Sequence, residues 1–174
     1  MPDPLKGRGR ALDIGCGSGK STSTLIDMGY EVSGTDISRE AVSICTDRFG
    51  SGMFLEGSVL SLPYPDSSID YAVAVHVLEH ITDVDMHRAV SEIRRILKPG
   101  GYLFIRDFAP GDMREGSRAD SDIVYIHRSP EDILAFFDGF SAVSCETVES
   151  RTRFGSVRCR AELLLRENDK NPGQ

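Results

Sequence analysis

The chain has 174 residues, a net charge of −7, 40% hydrophobic and 27% charged residues. That length suits one domain around one core, and the composition is that of a globular protein rather than a fibrous or low-complexity one. The acidic balance disfavours nucleic acid, since sequence-independent binding to phosphates needs a basic surface. No apolar run approaches the roughly 20 residues of a membrane span, and no secretory leader follows Met1. The expectation is a cytoplasmic protein with no membrane contact. Cys16, Cys45, Cys145 and Cys159 are far apart and form no CxxC pair, so free buried thiols are expected rather than zinc or disulfides.

Short apolar runs alternate with helix-length segments as far as residue 106, the pattern of βαβ units on a parallel sheet. Ala11 to Ile14 reads as a first strand, followed by glycines. Ser18 to Met28 reads as a helix stopped by Gly29. Glu31 to Thr35 is a second strand, and Ser38 caps a helix to about Phe49. Met53 to Glu56 is a short third strand. The following Leu62-Pro63-Tyr64-Pro65-Asp66 is held extended or turned by its prolines. Ile69 to Val75 is apolar enough for a central strand buried on both faces. Asp85 to Leu97 carries Val90, Ile93, Ile96 and Leu97 on one helical stripe, with Pro99-Gly100-Gly101 as its stop. Tyr102 to Ile105 is the fifth strand. Residues 107–122 read as a polar loop. Ser129-Pro130 opens a short helix to Phe137, and residues 140–150 and 156–165 form an antiparallel hairpin.

The segment Asp13-Ile14-Gly15-Cys16-Gly17-Ser18-Gly19 lies between a strand and a helix. Glycines there permit a tight turn and a close backbone approach to a ligand, and the helix N-terminus favours negative charge. Asp36 ends the next strand, where a carboxylate can accept hydrogen bonds from both hydroxyls of a ribose. Together these predict a nucleoside site at the carboxyl edge of the sheet. Two other nucleotide patterns fit less well. A dinucleotide fingerprint would place its third glycine at Lys20, and a phosphate loop would place its first at Ile14.

LDIGCGSG, GTDIS, LPYPDSSID, VHVLEHI and EIRRILKPGGYLFI occur in that order between Ala11 and Ile105. In these segments the chain resembles the class I S-adenosylmethionine-dependent methyltransferases of the small-molecule type. The resemblance implies an α/β fold, a Rossmann-like seven-stranded mixed sheet of order 3-2-1-4-5-7-6 with helices on both faces, and S-adenosylmethionine as cofactor. It implies one domain over 1–174, with a cofactor-binding core at 11–106 and a substrate loop, short helix and hairpin at 107–174. It also implies roles at matching positions. Asp13, Gly15, Cys16 and Gly17 belong to the glycine motif that holds the methionine part. Asp36 is the ribose acid, and Ile37 packs on the adenine. Ser58 and Val59 meet the adenine edge, although many relatives have an acid at position 58. The backbone carbonyl of His76 meets the cofactor's amino group.

The cofactor carries the difficult chemistry, so the protein must orient an acceptor and exclude water. A base, where the acceptor needs one, is sought in His80, Asp107 or His127, which lie near loops at the carboxyl edge. His76 to His80 also spells H-x-x-E-H, a metalloprotease pattern. That motif needs one helix carrying both histidines, whereas the first here follows a strand. No metal is expected. Residues 151–160 hold four arginines and no acid. Arginine forks suit carboxylates and phosphates, so Arg106 is expected to bind an anionic substrate group, with Arg114, Arg118, Arg128, Arg151 and Arg153 as further candidates. The alternative is pairing with the loop acids Asp112, Glu115, Asp120 and Asp122. Three functions remain open: methyl transfer to a small or medium acceptor, methyl transfer to tRNA or protein, and cofactor binding without catalysis. Only Met1 to Arg10 precede the glycine motif, where relatives carry covering helices. A homodimer or a small partner subunit is therefore expected.

Overall fold

The computed structural model describes residues 1–50, 53–115 and 125–169. Seven strands form one sheet in the order β3-β2-β1-β4-β5-β7-β6. They are β1 Arg10–Ile14, β2 Glu31–Asp36, β3 Phe54–Glu56, β4 Ile69–Val75, β5 Leu97–Phe108, β6 Phe140–Arg151 and β7 Val157–Glu167. The first five pair in parallel, and β7 runs antiparallel to both neighbours. This is the mixed sheet, with its order, that the resemblance implies. Four helices join the strands: α1 Lys20–Met28, α2 Arg39–Phe49, α3 Asp83–Ile96 and α4 Pro130–Leu134.

The two faces of β4 explain the layers. Alternate residues of a strand point to opposite faces, so Ala72 and Ala74 enter one core and Tyr71 and Val73 the other. The first core takes Met86, Val90 and Ile93 from α3 and Ile133 beside α4's end. The second takes Leu25 from α1 together with Tyr30 and Phe104, with Met1 and Leu5 packed against it. Residues before β1 are thus part of that layer. Asp3 accepts a 2.6 Å hydrogen bond from the Tyr30 hydroxyl, and the Pro2 carbonyl accepts one of 3.0 Å from Tyr71.

Several element ends differ from the sequence reading, each for a local reason. α1 begins at Lys20, since Gly17 and Gly19 both hold positive φ and keep the chain out of the helix until then. α3 begins earlier than Asp85. Thr82 caps it by accepting from the Asp85 N–H, with Asp83 and Asp85 in the first turn where carboxylates suit the helix dipole. The same helix ends at Ile96, because Leu97 already pairs with Ile69 and opens a long β5. α4 stops at Leu134 rather than Phe137. Asp107 and Phe108, read as loop, complete β5 opposite Ala161 and Arg160. The loop candidates Arg118, Asp120 and Asp122 lie outside the described residues.

The proline-rich segment after β3 is fastened by one side chain. Arg95 on α3 donates to the carbonyls of Tyr64 and Leu62 and to the carboxylates of Asp66 and Glu92, all within 2.9 Å. Arg95→Ala should therefore destabilise the fold by about 2 kcal/mol, the scale of hydrogen bonds to a charged group. A lower urea midpoint at unchanged m would show it. Arg95→Lys should recover only part of the loss, because an ammonium cannot span four acceptors as a planar fork does.

Candidate cofactor and acceptor site

The parallel register brings the C-terminal ends of β2, β1, β4 and β5 to one edge, with Ile14 between Thr35 and Ala74, and Val75 beside Arg106. Along that edge lies a cavity of about 420 Å³. It runs from Gly57, Ser58 and Val59 after β3, past Asp36, Ile37, Gly15 and Gly17, to His76, Val77, His80 and Ile81 after β4. Seven of the nine residues expected to hold the cofactor thus share one wall.

The glycine loop is shaped for close approach. Gly15 has φ 71°, and a Cβ there would lie 2.5 Å from Val77 Cγ2, so any side chain would displace a residue of the wall. Gly17 donates its N–H to Asp36 Oδ2 at 2.9 Å, and Ser38 donates to Oδ1 at 2.9 Å. Two backbone donors aim this carboxylate and leave it further lone pairs for a diol. Ile37 is 76% exposed beside it; so large an apolar surface at a cleft suits a flat ring. Ser58 lines the cavity, but its Oγ already takes the Leu60 N–H at 3.2 Å.

Asp13 and Cys16 belong to the same motif but do not line the cavity. Asp13 is buried and accepts 2.6 Å from the Thr22 hydroxyl, tying β1 to α1. Burial pushes its pKa up to about 6, against the Thr22 bond. The Cys16 side chain packs with Cys45 and Phe54 beneath the loop, and burial raises its thiol pKa. Both brace the loop from below.

At the β4 end one carboxylate organises the wall, and the sequence reading gave it no role. Glu79 is buried in the single turn Leu78–His80. Its Oε2 accepts the Phe108 N–H at 2.8 Å and lies 3.1 Å from His76 Nδ1, while Oε1 lies 3.7 Å from His80 Nε2. His76 is held at φ 60°, uncommon for a residue other than glycine. Its N–H donates to the Arg106 carbonyl at 2.7 Å, and its ring lies 4.2 Å from that of Phe108. His80 meets the Tyr125 ring edge-on at 4.7 Å.

Asp107 lies below this wall. Its Oδ1 accepts the Val77 N–H at 3.2 Å, and it is 2% exposed. Burial, then the nearby Glu79 charge, pushes its pKa up to about 8. One donor atom each from His76, Glu79 and Asp107 lie within 4.8 Å of one another. One oxygen of each carboxylate takes a backbone N–H, from Phe108 on Glu79 and from Val77 on Asp107.

The expected substrate arginines go elsewhere. Arg106 points to the Phe104 face, where Nε pairs with Glu162 at 2.8 Å, and it is not on the cavity wall. Arg128 is buried on the carbonyls of Leu78 and Ile81 and on Asp83. Arg151 and Arg153 sit at the hairpin tip, one on the Gly155 carbonyl and one over Phe154. Arg114 lies 4.4 Å over the Phe108 ring. His127 stacks against Phe108 at 6.2 Å, behind the wall.

The profile of the family described as "Methyltransferase domain" matches residues 12–105. The match covers more than half of the chain, and the chain belongs to that family. The 27-O-demethylrifamycin SV methyltransferase of Amycolatopsis mediterranei is 32% identical over 70% of this chain and 46% of its own length. The ubiquinone biosynthesis O-methyltransferase of Sinorhizobium fredii is 34% identical over 60% and 42%. The chain thus spans under half the length of these relatives. A SAM-dependent methyltransferase structure from Methanosarcina mazei shares the fold with a TM-score of 0.80 at 24% identity, covering 95% of both chains. S-adenosylmethionine is the family's cofactor, and the glycine turn, the aimed Asp36 and exposed Ile37 fit its amino-acid, ribose and adenine parts.

Two measurements test this assignment. Asp36→Ala should weaken S-adenosylhomocysteine binding by about 1.5–3 kcal/mol in calorimetry, the value of a charged acceptor. Asp107 should appear in stability against pH. Folding raises its proton affinity, so its contribution is full below its ordinary 3.8 and falls as pH rises through about 8. The stability of Asp107→Asn relative to wild type should therefore improve steadily over that window, read by chemical unfolding at several pH values.

Proposed function

We propose that this chain transfers a methyl group from S-adenosylmethionine to a hydroxyl oxygen of a small organic acceptor, with a histidine held by Glu79 as proton acceptor. The observation that carries the reading is the cavity itself. It joins the nucleoside wall at Asp36 and Ile37 to two imidazoles on one buried carboxylate. The oxygen specificity draws on relatives named O-methyltransferases.

The bound cofactor supplies an electrophilic methyl on a sulfonium. Gly15, Gly17, Asp36, Ile37, Ser58, Val59 and the His76 carbonyl hold it along the strand ends, while Asp13 and Cys16 support the loop. The acceptor lies against the β4 end, between His76, His80 and Ile81. Confining two reactants there can contribute roughly 7–11 kcal/mol in favourable cases.

The proton of the attacking hydroxyl goes to an imidazole. His76 is the first choice. Its Nδ1 faces Glu79 at 3.1 Å, which supports a tautomer with the proton on Nδ1 and Nε2 as the basic atom. His80 shares the same carboxylate and lines the same cavity. Asp107 acts through position, holding the Val77 N–H under the wall.

Labelled cofactor incubated with hydroxylated small molecules should yield label in the small-molecule fraction; label only in RNA or protein would overturn the acceptor class. His76→Asn tolerates the left-handed backbone and should lower kcat about 100-fold, the lower end for general base catalysis. S-adenosylhomocysteine affinity should not change. If kcat survives in His76→Asn and falls in His80→Asn, the base is His80.

A further inference from the structure

The β7 register sets Arg160 opposite Phe108, whose ring lies against His76 of the cavity wall, although neither Arg158 nor Arg160 itself lines the cavity. Arg160 is the partner of Phe108, and Arg158 lies two residues further along the same face, opposite Ser150. Phe108 in turn lies against the His76 ring at 4.2 Å. From β4 across β5 to β7 is two strand spacings, about 10 Å. That is the length of one ring with a short substituent.

These guanidiniums are poorly satisfied. Arg160 donates from Nη2 to Ser150 Oγ at 2.8 Å. Among the described residues, the Nε atoms of both Arg158 and Arg160 are buried with no hydrogen-bond partner. Glu162, the acid next along this face of β7, is taken by Arg106 at 2.8 Å. Among the described residues no carboxylate forms an ion pair with Arg158 or Arg160. Residues two apart on one strand face are about 7 Å apart, so the two cations also repel each other. A buried donor without a partner costs free energy, and here two stand together in a chain of net charge −7. An anion from outside the chain would satisfy both.

We propose that Arg158 and Arg160 form an anion site for the acceptor, so that the substrate is a hydroxylated molecule bearing a carboxylate or phosphate. The anionic group sits on the β7 arginines and the reacting hydroxyl reaches His76, with Phe108 between them. Binding by two forks fixes direction as well as distance, which is what in-line attack on a methyl requires. This assignment rests on the methyltransferase reading above.

The test uses the protein saturated with S-adenosylhomocysteine. A panel of hydroxybenzoates, each with its methyl ester, and of hydroxyphenyl phosphates, each with its neutral parent phenol, is titrated by calorimetry. Wild type should bind at least one anion about 10-fold or more tightly than its neutral counterpart, and carboxylate and phosphate arms show which is preferred. The preference should collapse in R158Q/R160Q while S-adenosylhomocysteine affinity stays the same. Should that variant not fold, R158K/R160K keeps the charge, loses the forks and should bind the anion several-fold more weakly. Equal binding of every anion and its neutral partner, or a preference that survives these substitutions, overturns the arginine site alone. Failure of wild type to bind S-adenosylhomocysteine overturns the methyltransferase reading instead.

Discussion

The site depends on the Glu79 carboxylate. It sits in the one turn that follows β4, yet its contacts reach three other places. Oε2 takes the Phe108 N–H from the end of β5 and meets His76 at the end of β4, Oε1 approaches His80, and the Glu79 carbonyl accepts from Ile126. A buried carboxylate is expensive unless several donors share it, and these donors come from segments that only the finished sheet brings together. The β4 end of the cavity is therefore assembled by the fold around one carboxylate. An amide in place of Glu79 could accept from one side only, and the two imidazoles would lose their common reference.

The nucleoside end works on a different principle. Its donors and acceptors are mostly backbone, and side chains serve to aim them. Asp36 is held by Gly17 and Ser38, and the loop itself is braced from below by Asp13 on Thr22 and by the packing of Cys16. A motif of seven consecutive residues thus divides into those that face the cavity and those that hold the turn. Cavity-facing glycines cannot gain a side chain, and the buried Asp13 cannot easily lose one.

This division explains what could be read from the sequence. The strands around the central β4 were legible because burial on both faces leaves an unbroken apolar run, and the helix starts because Ser38 and Ser129 sit where caps belong. Asp36, Gly15 and Gly17 were legible because their chemistry is local to a strand end. Glu79 was not, since nothing in Leu-Glu-His shows that Phe108 will donate to it. Arg106 illustrates the opposite error. Its place at the end of β5 suggested the cleft, but the register sets Glu162 directly opposite it, and the pair forms away from the cavity wall. The same register sets Arg160 opposite Phe108, which spacing along the chain could not show.

Unfavourable local features collect at the same end of the cavity. His76 holds a positive φ, Asp107 and Glu79 are two carboxylates buried side by side, and Glu79 Oε1 has no hydrogen-bond partner. Each is destabilising on its own: strain of this kind costs about 1–3 kcal/mol, and adjacent buried carboxylates disfavour double ionisation. Around the Asp36 end of the cavity the carboxylate is met by backbone donors and the positive φ values fall on glycines. Such concentration is expected where structure serves a reaction rather than stability. Asp107, with its raised proton affinity, relieves part of it. In the function proposed above, Glu79 orients both imidazoles along one cavity wall, where one of them takes the proton that an acceptor hydroxyl loses.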